Sequence, residues 1–391
     1  MRVTHVITRL IVGGAQENTI ATVLGLHQIP DVRVNLLSGP TTGAEGSLVS
    51  LFDNYPKLLR EVPTLVRPVD AWKDLLACRT LMKEFLRDRP DIVHTHSGKA
   101  GILGRLIARR AKVPLVIHSI HGPSFGSFQG GLANYFFKQA ESIAARFTHH
   151  FISVAQAMTD QYLAAKIGHA HQYTRIFSGF RLEPFLNIGA PQSYRNRWGL
   201  KPTDFVIGKV ARLSDLKGHN DLLEAAARLL PSIPTLKILL IGDGPLQAQL
   251  RNRVEQLRLV NHVIFSGLVR PEEIPECLGA MDAVVHLSRR EGLPRALSQA
   301  LAASRPIVAY DCDGAREVCQ QDQTGHLLPP GDINGVVRAL CQLHHNPERR
   351  REMGDFGRSF VSKEFSESHM VARIHELYRS LLDRYRADNQ K

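Results

Sequence analysis

The stretch that decides the fold is FVIGKVARLSDLKGHNDLLEAAARLL, residues 205–230. It begins with an apolar, β-branched run, Phe205–Val210, that predicts a buried strand, and it ends with a helical pattern over Asp221–Leu230. A short polar turn separates the two. A strand that passes through a tight turn into a helix is the repeating unit of a parallel α/β sheet.

The same unit repeats along the chain in two series of similar size. The first series predicts strands at Val3–Ile7, Val32–Leu37, Ile92–His94, Leu115–Ser119, His150–Val154 and Thr174–Phe177. The second predicts strands at Phe205–Val210, Leu236–Ile241, Val263–Ser266, Ala283–Leu287 and Pro306–Ala309. Helical patterns separate them, at Ala15–Leu26, Trp72–Arg87, Leu103–Ala111, Asp221–Leu230 and Leu246–Leu257. We therefore predict an α/β protein with two Rossmann-like, doubly wound parallel-sheet domains.

Length and proline placement set the expected domain boundary. The chain has 391 residues, and single hydrophobic cores stop growing near ~250–300 residues, so two domains are expected. Pro184, Pro191 and Pro202 interrupt the periodicity near residues 179–203. This predicts an N-terminal domain over 1–180 and a C-terminal domain over 181–366.

Composition excludes several classes of protein. Hydrophobic residues make up 43% and charged residues 22%, as in soluble globular chains and unlike disordered or collagen-like ones. No apolar run reaches the ~18 residues of a membrane-spanning helix, and the N-terminus lacks the pattern of a signal peptide. The five cysteines are widely spaced, with no C-x-x-C pair. We therefore expect a cytoplasmic protein without a disulfide or zinc framework.

The positive charge is concentrated in the first half. The net charge is +12, and residues 92–140 contain no acidic side chain but six cations: Lys99, Arg105, Arg109, Arg110, Lys112 and Lys138. Such a segment could be a solvated helix face, or it could meet anionic lipid or a phosphorylated substrate. Nucleic acid is not expected, because zinc-finger spacing and an aromatic RNA-binding signature are absent.

Ligands of open α/β sheets bind beyond the carboxyl ends of the strands, so residues that follow strands are the first candidates. Arg212 and Lys217 follow Phe205–Val210 and flank a helix start, where two cations can neutralise a diphosphate. The alternative is two solvated surface charges. Gly13 and Gly14 follow the first strand and would let a ligand approach the backbone closely, or they form only a tight turn. They do not form the G-x-G-x-x-G fingerprint of dinucleotide sites.

Two further groups of candidates follow later strands. Glu291, with Gly292, Leu293 and Pro294, precedes a helix that carries Gln299, and its carboxylate could accept hydrogen bonds from sugar hydroxyls or favour the helix N-terminus. His121, at the end of Leu115–Ser119, could be a polar site residue or a satisfied core histidine.

Two short patterns resemble metal sites, but we predict no metal at either. His94 and His96 lie on one strand face without a third ligand in view, and Asp311-Cys312-Asp313 is interpreted as a loop.

Taken in order, these motifs resemble those of the family-4 retaining glycosyltransferases (glycosyl transferases group 1), and the match covers nearly the whole chain. Arg212 through Lys217-Gly218 is similar to the family's R-x-x-x-x-K-G, Gly242–Pro245 to its G-x-G-P turn, and Glu291–Pro294 to its E-G-[LF]-P. Gly13-Gly14 and His121-Gly122 are similar to its glycine loop and strand-end histidine. The resemblance implies the GT-B architecture, two Rossmann-like domains facing across a cleft.

The resemblance also implies roles for these residues. Glu291 and His121 would be the catalytic side chains, with Glu291 on the hydroxyls of the donor sugar and His121 near the transferred sugar. Arg212 and Lys217 would hold the diphosphate, and Gly13, Gly14, Gly292, Leu293 and Gln299 would complete the donor site. No metal or other cofactor is implied, because the two cations and helix dipoles offset the leaving charge.

One position departs from the family. The second Glu of the family motif, eight positions after Glu291, is Gln299 here. In the family that acid accepts hydrogen bonds from the ribose. An amide accepts without charge, so we expect weaker nucleotide binding and intact chemistry.

The family also sets expectations for the rest of the chain. The last helix, 367–391, is expected to return to the N-terminal domain. The donor is expected to be a UDP-sugar, and the acceptor a carbohydrate or lipid-linked molecule in cell-surface polysaccharide or glycolipid synthesis. Contact of the basic 92–140 segment with an anionic inner membrane face is a further hypothesis.

Three other functions stay open on the sequence. A non-catalytic nucleotide-sugar-binding subunit would account for Gln299, although Glu291, Arg212 and Lys217 are intact. An epimerase of the same architecture would interconvert nucleotide-sugars without an acceptor. A nicotinamide oxidoreductase lacks its glycine fingerprint here.

Overall fold

The computed structural model describes residues 1–41, 46–126, 130–189 and 191–389. The chain divides into two compact units, Met1–Phe180 with Glu367–Lys391, and Arg181–Ser366. Each is built around one parallel sheet.

The first unit contains a seven-stranded sheet in the order β3-β2-β1-β4-β5-β6-β7. Its strands are β1 (Arg2–Ile7), β2 (Arg33–Ser38), β3 (Leu59–Glu61), β4 (Ile92–His96), β5 (Leu115–Ile120), β6 (His150–Ser153) and β7 (Tyr173–Arg175). Its helices are α1 (Gly14–His27), α2 (Ala71–Asp88), α3 (Gly98–Arg110), α4 (Gly131–Ala145) and α5 (Gln156–Ala164).

The second unit contains a six-stranded sheet in the order β10-β9-β8-β11-β12-β13. It begins with the short helices α6 (Glu183–Leu186) and α7 (Pro191–Asn196). The strands are β8 (Phe205–Val210), β9 (Leu236–Ile241), β10 (Val263–Phe265), β11 (Ala283–His286), β12 (Ile307–Tyr310) and β13 (Gly325–Leu328). The other helices are α8 (His219–Leu229), α9 (Gln247–Gln256), α10 (Ile274–Gly279), α11 (Arg295–Ala302), α12 (Ile333–His345) and α13 (Pro347–Glu364).

Both sheets confirm the prediction of two Rossmann-like parallel-sheet domains, since each has the doubly wound strand order. The edge strands β3 and β13 were not predicted. Each is only three or four residues long, two of the three residues of β3 are charged, and β13 begins with Gly325, so neither shows the apolar run of a central strand.

The last helix, α14 (Glu367–Asp388), belongs to the first unit and packs against α1. Its buried residues join the apolar core of β1, β2 and α1; they are Met370, Val371, Ile374, Tyr378 and Leu382. The helices approach closely at Gly25, where a Cβ atom would lie 2.5 Å from a methyl carbon of Val371. The chain end is therefore part of the core that holds the first sheet.

Candidate functional site

In each sheet the strand order reverses beside its first strand, and ligands of doubly wound folds bind at this switch point. In the second unit the reversal lies between β8 and β11. The loop after β8 carries Arg212 and Lys217, and the loop after β11 carries Glu291. The topology therefore brings the candidates of two distant motifs to one edge of the sheet.

Glu291 is held by two donors on the same oxygen. Its Oε1 accepts a hydrogen bond from Lys217 Nζ at 2.6 Å and another from His286 Nε2 at 3.0 Å. The backbone N–H of Glu291 donates to Asp313 Oδ2 at 2.7 Å. Backbone and side chain are thus both fixed, and the carboxylate is only 16% exposed.

The two partners also keep Glu291 ionised. Burial raises the pKa of this carboxyl, but the hydrogen bonds and charges of His286 and Lys217 outweigh burial and hold the pKa well below its usual range. The carboxylate is therefore charged at neutral pH, and a charged carboxylate accepts stronger hydrogen bonds from hydroxyl groups than a neutral carboxyl group does.

The loop that carries Lys217 depends on glycine at position 218. Gly218 has a φ of +68° and immediately precedes α8. A Cβ atom there would lie 2.0 Å from the carbonyl oxygen of Leu287, the residue that follows β11. The loop after β8 therefore packs directly against the segment that leads from β11 to Glu291. His219, the first residue of α8, closes the loop by bonding to the carbonyl oxygen of Arg212 at 3.0 Å.

The remaining candidates of the second unit lie close in sequence to Glu291. Gly292 accepts a hydrogen bond from the N–H of Gly314 at 3.0 Å, which ties the loop to the start of a short 3-10 helix. Leu293 is half-buried just before α11, and Gln299 is half-buried within that helix. Their positions beside the β8–β11 edge are compatible with a common ligand.

The carboxylates of Asp311 and Asp313 make structural bonds. Asp311 pairs with Arg316, with two nitrogen–oxygen distances of 2.9 and 2.5 Å, and Asp313 accepts from the backbone of Glu291. Asp311 lies in the loop after β12, whereas Asp313 is the first residue of a short 3-10 helix, Asp313–Glu317.

Sequence reasoning missed two site residues, His286 and Lys209. Lys209 is fully buried on β8, and its Nζ has no hydrogen-bond partner in the part of the chain that is described. Burial, followed by the charge of Lys217, lowers the pKa of Lys209 to about 7. The sequence does contain a signal for both: each is a polar residue in an otherwise apolar strand, Lys209 in FVIGKV and His286 in AVVH. Burying such a side chain is costly unless it has a partner or a function.

In the first unit the reversal lies between β1 and β4. Gly13 and Gly14 stand at the start of α1, which follows β1, and a Cβ atom on Gly14 would meet nothing within 4 Å. His121 follows β5, next to β4 in the sheet. These residues lie at the carboxyl end of their own sheet.

His121 stands at the end of a row of hydrogen-bonded imidazole rings that was not predicted from the sequence. His5 Nδ1 and His96 Nε2 are 2.9 Å apart, and His96 Nδ1 and His121 Nε2 are 3.0 Å apart. His94 lies beside them and bonds to Tyr378 of α14 at 2.5 Å and to Ser119 at 2.7 Å. Burial lowers the pKa of His5 to about 3 and that of His121 to about 4.

A cavity of about 710 Å³ opens beside α3 and α4 in the same unit. Its wall is largely apolar and includes Ile102, Leu103, Phe136 and Phe137. The cations Arg9, Arg67 and Lys99 lie at the same cavity, and Lys99 pairs with Asp74. The cavity thus combines an apolar wall with positively charged side chains.

The basic segment 92–140 is not simply a charged face. Arg105 is fully buried and pairs with Glu141 Oε2 at 2.6 Å, so it joins α3 to α4 within the core. Exposed positive charge comes instead from the end of α3, at Arg109 and Arg110. In the described ranges, no helix has both the length and the apolar character needed to cross a membrane.

Known protein families match both units of the chain. The family Glycosyltransferase Family 4 matches residues 12–180, and the family Glycosyl transferases group 1 matches residues 192–360. The chain is 29% identical over 334 residues to the putative glycosyltransferase EpsD of Bacillus subtilis, covering 82% of this chain and 84% of that protein.

A second relative is the UDP-Gal:alpha-D-GlcNAc-diphosphoundecaprenol alpha-1,3-galactosyltransferase of Escherichia coli. It is 30% identical over 286 residues, which cover 72% of this chain and 73% of that protein. Among solved structures, Anabaena HepE in complex with UDP has the same fold, with a TM-score of 0.82 and 22% identity over 97% of this chain and all of that one. The chain therefore belongs to the family-4 glycosyltransferases of the GT-B fold and is a glycosyl-transferring enzyme.

Proposed function

We propose that this enzyme transfers the sugar of a UDP-sugar, with retention of anomeric configuration, to a lipid-linked carbohydrate acceptor. The observation that carries the proposal is the Lys217–Glu291–His286 set at the switch point of the second sheet. A charged carboxylate there can orient sugar hydroxyls, and the cations Arg212 and Lys217 can offset the charge of a departing diphosphate.

The donor site would be completed by the neighbouring candidates. The loop residues Gly292 and Leu293 would border the sugar, and Gln299 would accept a hydrogen bond from the ribose through its amide oxygen. In the first unit, Gly13, Gly14 and His121 would meet the transferred sugar. No metal ion or other cofactor is required, because the two cations supply the electrostatic stabilisation of the leaving group.

Relatives support uridine as the base. The Escherichia coli galactosyltransferase is named for UDP-Gal, and HepE was crystallised with UDP and with UDP-glucose. A more distant relative at 27% identity is a GDP-mannose-dependent alpha-mannosyltransferase of Mycobacterium tuberculosis, so GDP is the alternative to test.

The cavity beside α3 and α4 supports a lipid-linked acceptor. Its aromatic wall suits an acyl or isoprenoid chain, and its cations suit a phosphate group on the same molecule. The Escherichia coli relative acts on a diphosphoundecaprenol-linked sugar, and another relative is a capsular polysaccharide glycosyltransferase of Staphylococcus aureus. A role in cell-surface polysaccharide or glycolipid synthesis follows from such an acceptor.

Peripheral contact with an anionic membrane is part of the same proposal. Leu132, Tyr135 and Phe136 on α4 are 73%, 57% and 60% exposed, and the same unit carries the exposed cations Arg109 and Arg110 at the end of α3. Exposed apolar residues accompanied by cations are the combination that binds an anionic bilayer surface.

The donor half of the proposal is tested by calorimetric titration of UDP, GDP, ADP and CMP into the purified enzyme. We expect UDP to bind most tightly and Arg212→Ala to weaken that binding. Turnover is then measured with UDP-sugars and a diphosphate-linked sugar, and Glu291→Gln should lower kcat by about a hundredfold or more. Glu352→Gln, at an exposed glutamate of α13, is the matched control.

The outcomes separate the competing functions. A folded protein that binds a nucleotide but turns over no donor indicates an accessory binding subunit. Conversion of the donor alone to an isomeric nucleotide-sugar indicates an epimerase. Inversion at the anomeric carbon of the product contradicts the retaining mechanism.

The membrane contact is tested by sedimentation with phosphatidylglycerol vesicles. We expect binding at low salt that weakens as salt is added, and less binding by Phe136→Ser. Phe356→Ser, at an exposed phenylalanine of the second unit, is the control. Protein that stays in the supernatant at low salt contradicts the proposal.

A further inference from the structure

Three imidazole rings form a continuous hydrogen-bonded chain across the carboxyl end of the first sheet. His5 lies on β1, His96 is the last residue of β4, and His121 follows β5. His5 Nδ1 bonds to His96 Nε2 at 2.9 Å, and His96 Nδ1 bonds to His121 Nε2 at 3.0 Å. His96 therefore uses both of its ring nitrogens inside the chain.

The two ends of this hydrogen-bonded row of rings differ: His121 has a ring nitrogen left for a ligand, whereas His5 is buried in the core. His121 is half-buried, and among the described residues only its Nε2 is given a hydrogen bond, so Nδ1 is the nitrogen left for a ligand. His5 is fully buried, and its Nε2 has no partner in the described part of the chain.

The surroundings keep the rings uncharged. Burial is the largest influence on each ring and lowers the pKa of all three. The titratable groups that act directly on His96 from outside the three rings are His94 on β4 and His118 on β5. Behind these two, Tyr378 on α14 bonds to His94, and Arg105 on α3 acts on His118. Burial, followed by the charge of Arg105, lowers the pKa of the neighbouring His118, and Arg105 is itself paired with Glu141.

Neutral rings restrict the direction of the hydrogen bonds. A neutral imidazole has one N–H and one lone pair, so both bonds of His96 must run the same way along the chain. If the protons point from His121 towards His5, the chain ends in a buried N–H on His5 Nε2 with no acceptor. If they point from His5 towards His121, the buried end at His5 is only an unused lone pair. Buried N–H groups without a partner are the rarer and costlier case, so the second direction is favoured.

We propose that His5 and His96 are positioning residues that hold His121 as the neutral Nδ1–H tautomer, so that His121 donates a hydrogen bond to a substrate oxygen. The recognised group is a sugar hydroxyl or phosphate oxygen that accepts this bond. His121 does not serve as the base that removes the proton of the acceptor. The role in catalysis rests on the proposed function, whereas the tautomer follows from the burial and the hydrogen-bond geometry of the rings.

A metal ion is the competing explanation for clustered histidines. One nitrogen from each of His5, His94 and His96 lies within 4.8 Å of the others, which would admit an ion. However, both nitrogens of His96 and both of His94 are engaged in hydrogen bonds of 2.5–3.0 Å. A metal would have to break these bonds, so the hydrogen-bonded chain accounts better for the arrangement.

The proposal is tested by two-bond proton–nitrogen correlation spectra of the full chain labelled with ¹⁵N-histidine, with His121 assigned from the spectrum of His121→Gln. We expect His121 to carry its proton on Nδ1, unchanged between about pH 6 and pH 8. In His5→Leu the donor to His96 is lost, and we expect mixed tautomers at His121. In His5→Asn the amide can donate in place of Nδ1, and the Nδ1–H tautomer should return. The exposed His171→Gln is the control for substitution of a histidine.

Activity supplies the second readout. We expect kcat to fall about tenfold in His5→Leu and to recover in His5→Asn, with the KM for donor changed less than kcat. A His121 that carries its proton on Nε2, an imidazolium at neutral pH, or an unaltered tautomer in His5→Leu overturns the proposal. So does a stoichiometric metal ion that is lost with His5. The spectra do not depend on enzyme activity. They therefore test the tautomer of His121 even if the proposed function is wrong.

Discussion

At the scale of single residues, the charge and the direction of Glu291 are controlled by different neighbours. Lys217 is a flexible donor that is 27% exposed, whereas His286 is buried on β11 and rigid. Because both bond to Oε1, Oε2 is left to face a ligand. His286 therefore fixes which oxygen of the carboxylate is available.

This assignment predicts a contrast between two substitutions of His286. His286→Gln places an amide N–H near the position of Nε2 and should keep kcat within about threefold of the unaltered enzyme. His286→Leu removes the donor and should lower kcat by about tenfold or more, since a hydrogen bond to a charged group is worth about 1.5–3 kcal/mol. Steady-state kinetics measures kcat for both variants, and thermal melting checks that both are folded at the assay temperature. Equal kcat values in the two variants would show that His286 acts only in packing.

Gln299 is the position where one atom separates this chain from its family motif. Gln299→Glu should strengthen UDP binding by about five- to tenfold, because a charged acceptor adds about 1 kcal/mol over a neutral one. Gln256→Glu, on the exposed face of α9, makes the same change of net charge away from the site. Calorimetry that finds the same change in affinity for both variants would contradict a direct contact at Gln299.

At the scale of elements, the junction between the β8 loop and β11 is the tightest part of the site. Gly218→Ala would combine a φ of +68° with a Cβ atom 2.0 Å from Leu287. Gly199 is the matched control, because it has a φ of +63° but no atom within 4 Å of its Cβ position. Gly199→Ala therefore measures the backbone strain alone, about 1–2 kcal/mol, without a steric clash. We expect Gly218→Ala to cost about 3 kcal/mol or more and to abolish UDP binding, as measured by urea unfolding and calorimetry. Equal losses in the two variants would mean that contact with β11 does not matter.

The elements also show where sequence reasoning succeeds and where it stops. Central strands such as β8 and β9 are apolar except for one lysine in each, because both of their faces are largely buried, and their bounds were predicted to the residue. The short edge strands β3 and β13 lack that signal. Arg105 was counted with the surface cations, since nothing in one sequence shows that Glu141, 36 residues away, reaches it in the core.

The same limit applies to the site. Lys217 and Glu291 follow strands, so their position at the sheet edge could be predicted from topology. Their direct bond, and the orientation of Glu291 by His286, depend on loop geometry that local patterns do not encode. The hydrogen bonds among His5, His96 and His121 were not predicted for a related reason. These residues belong to three separate segments, which the pairing of β1, β4 and β5 brings together.

At the scale of the whole molecule, the two units share one feature. In each of them, polar side chains are buried at the switch point of a largely apolar sheet. The first unit holds imidazoles there, and the second holds an ion pair with a buried lysine below it. Burial of these groups opposes the hydrophobic stabilisation of both cores. Their ionisation should therefore dominate the response of the chain to pH.

Acid stability tests this consequence. The folded-state pKa values of His5 and His121, about 3 and about 4, lie below the unfolded value of 6.5, so the unfolded chain binds more protons. Stability is then full above pH 6.5 and is lost as the pH falls from 6.5 towards 4; His5 alone should cost about 2 kcal/mol at pH 5. Calorimetric melting between pH 8 and pH 5 should show a steep fall in Tm. His5→Leu should be less stable than the unaltered chain at pH 8 yet lose fewer degrees on acidification, while His171→Leu, at an exposed site, should keep the original slope. A slope unchanged by His5→Leu would show that this ring takes up its proton without unfolding.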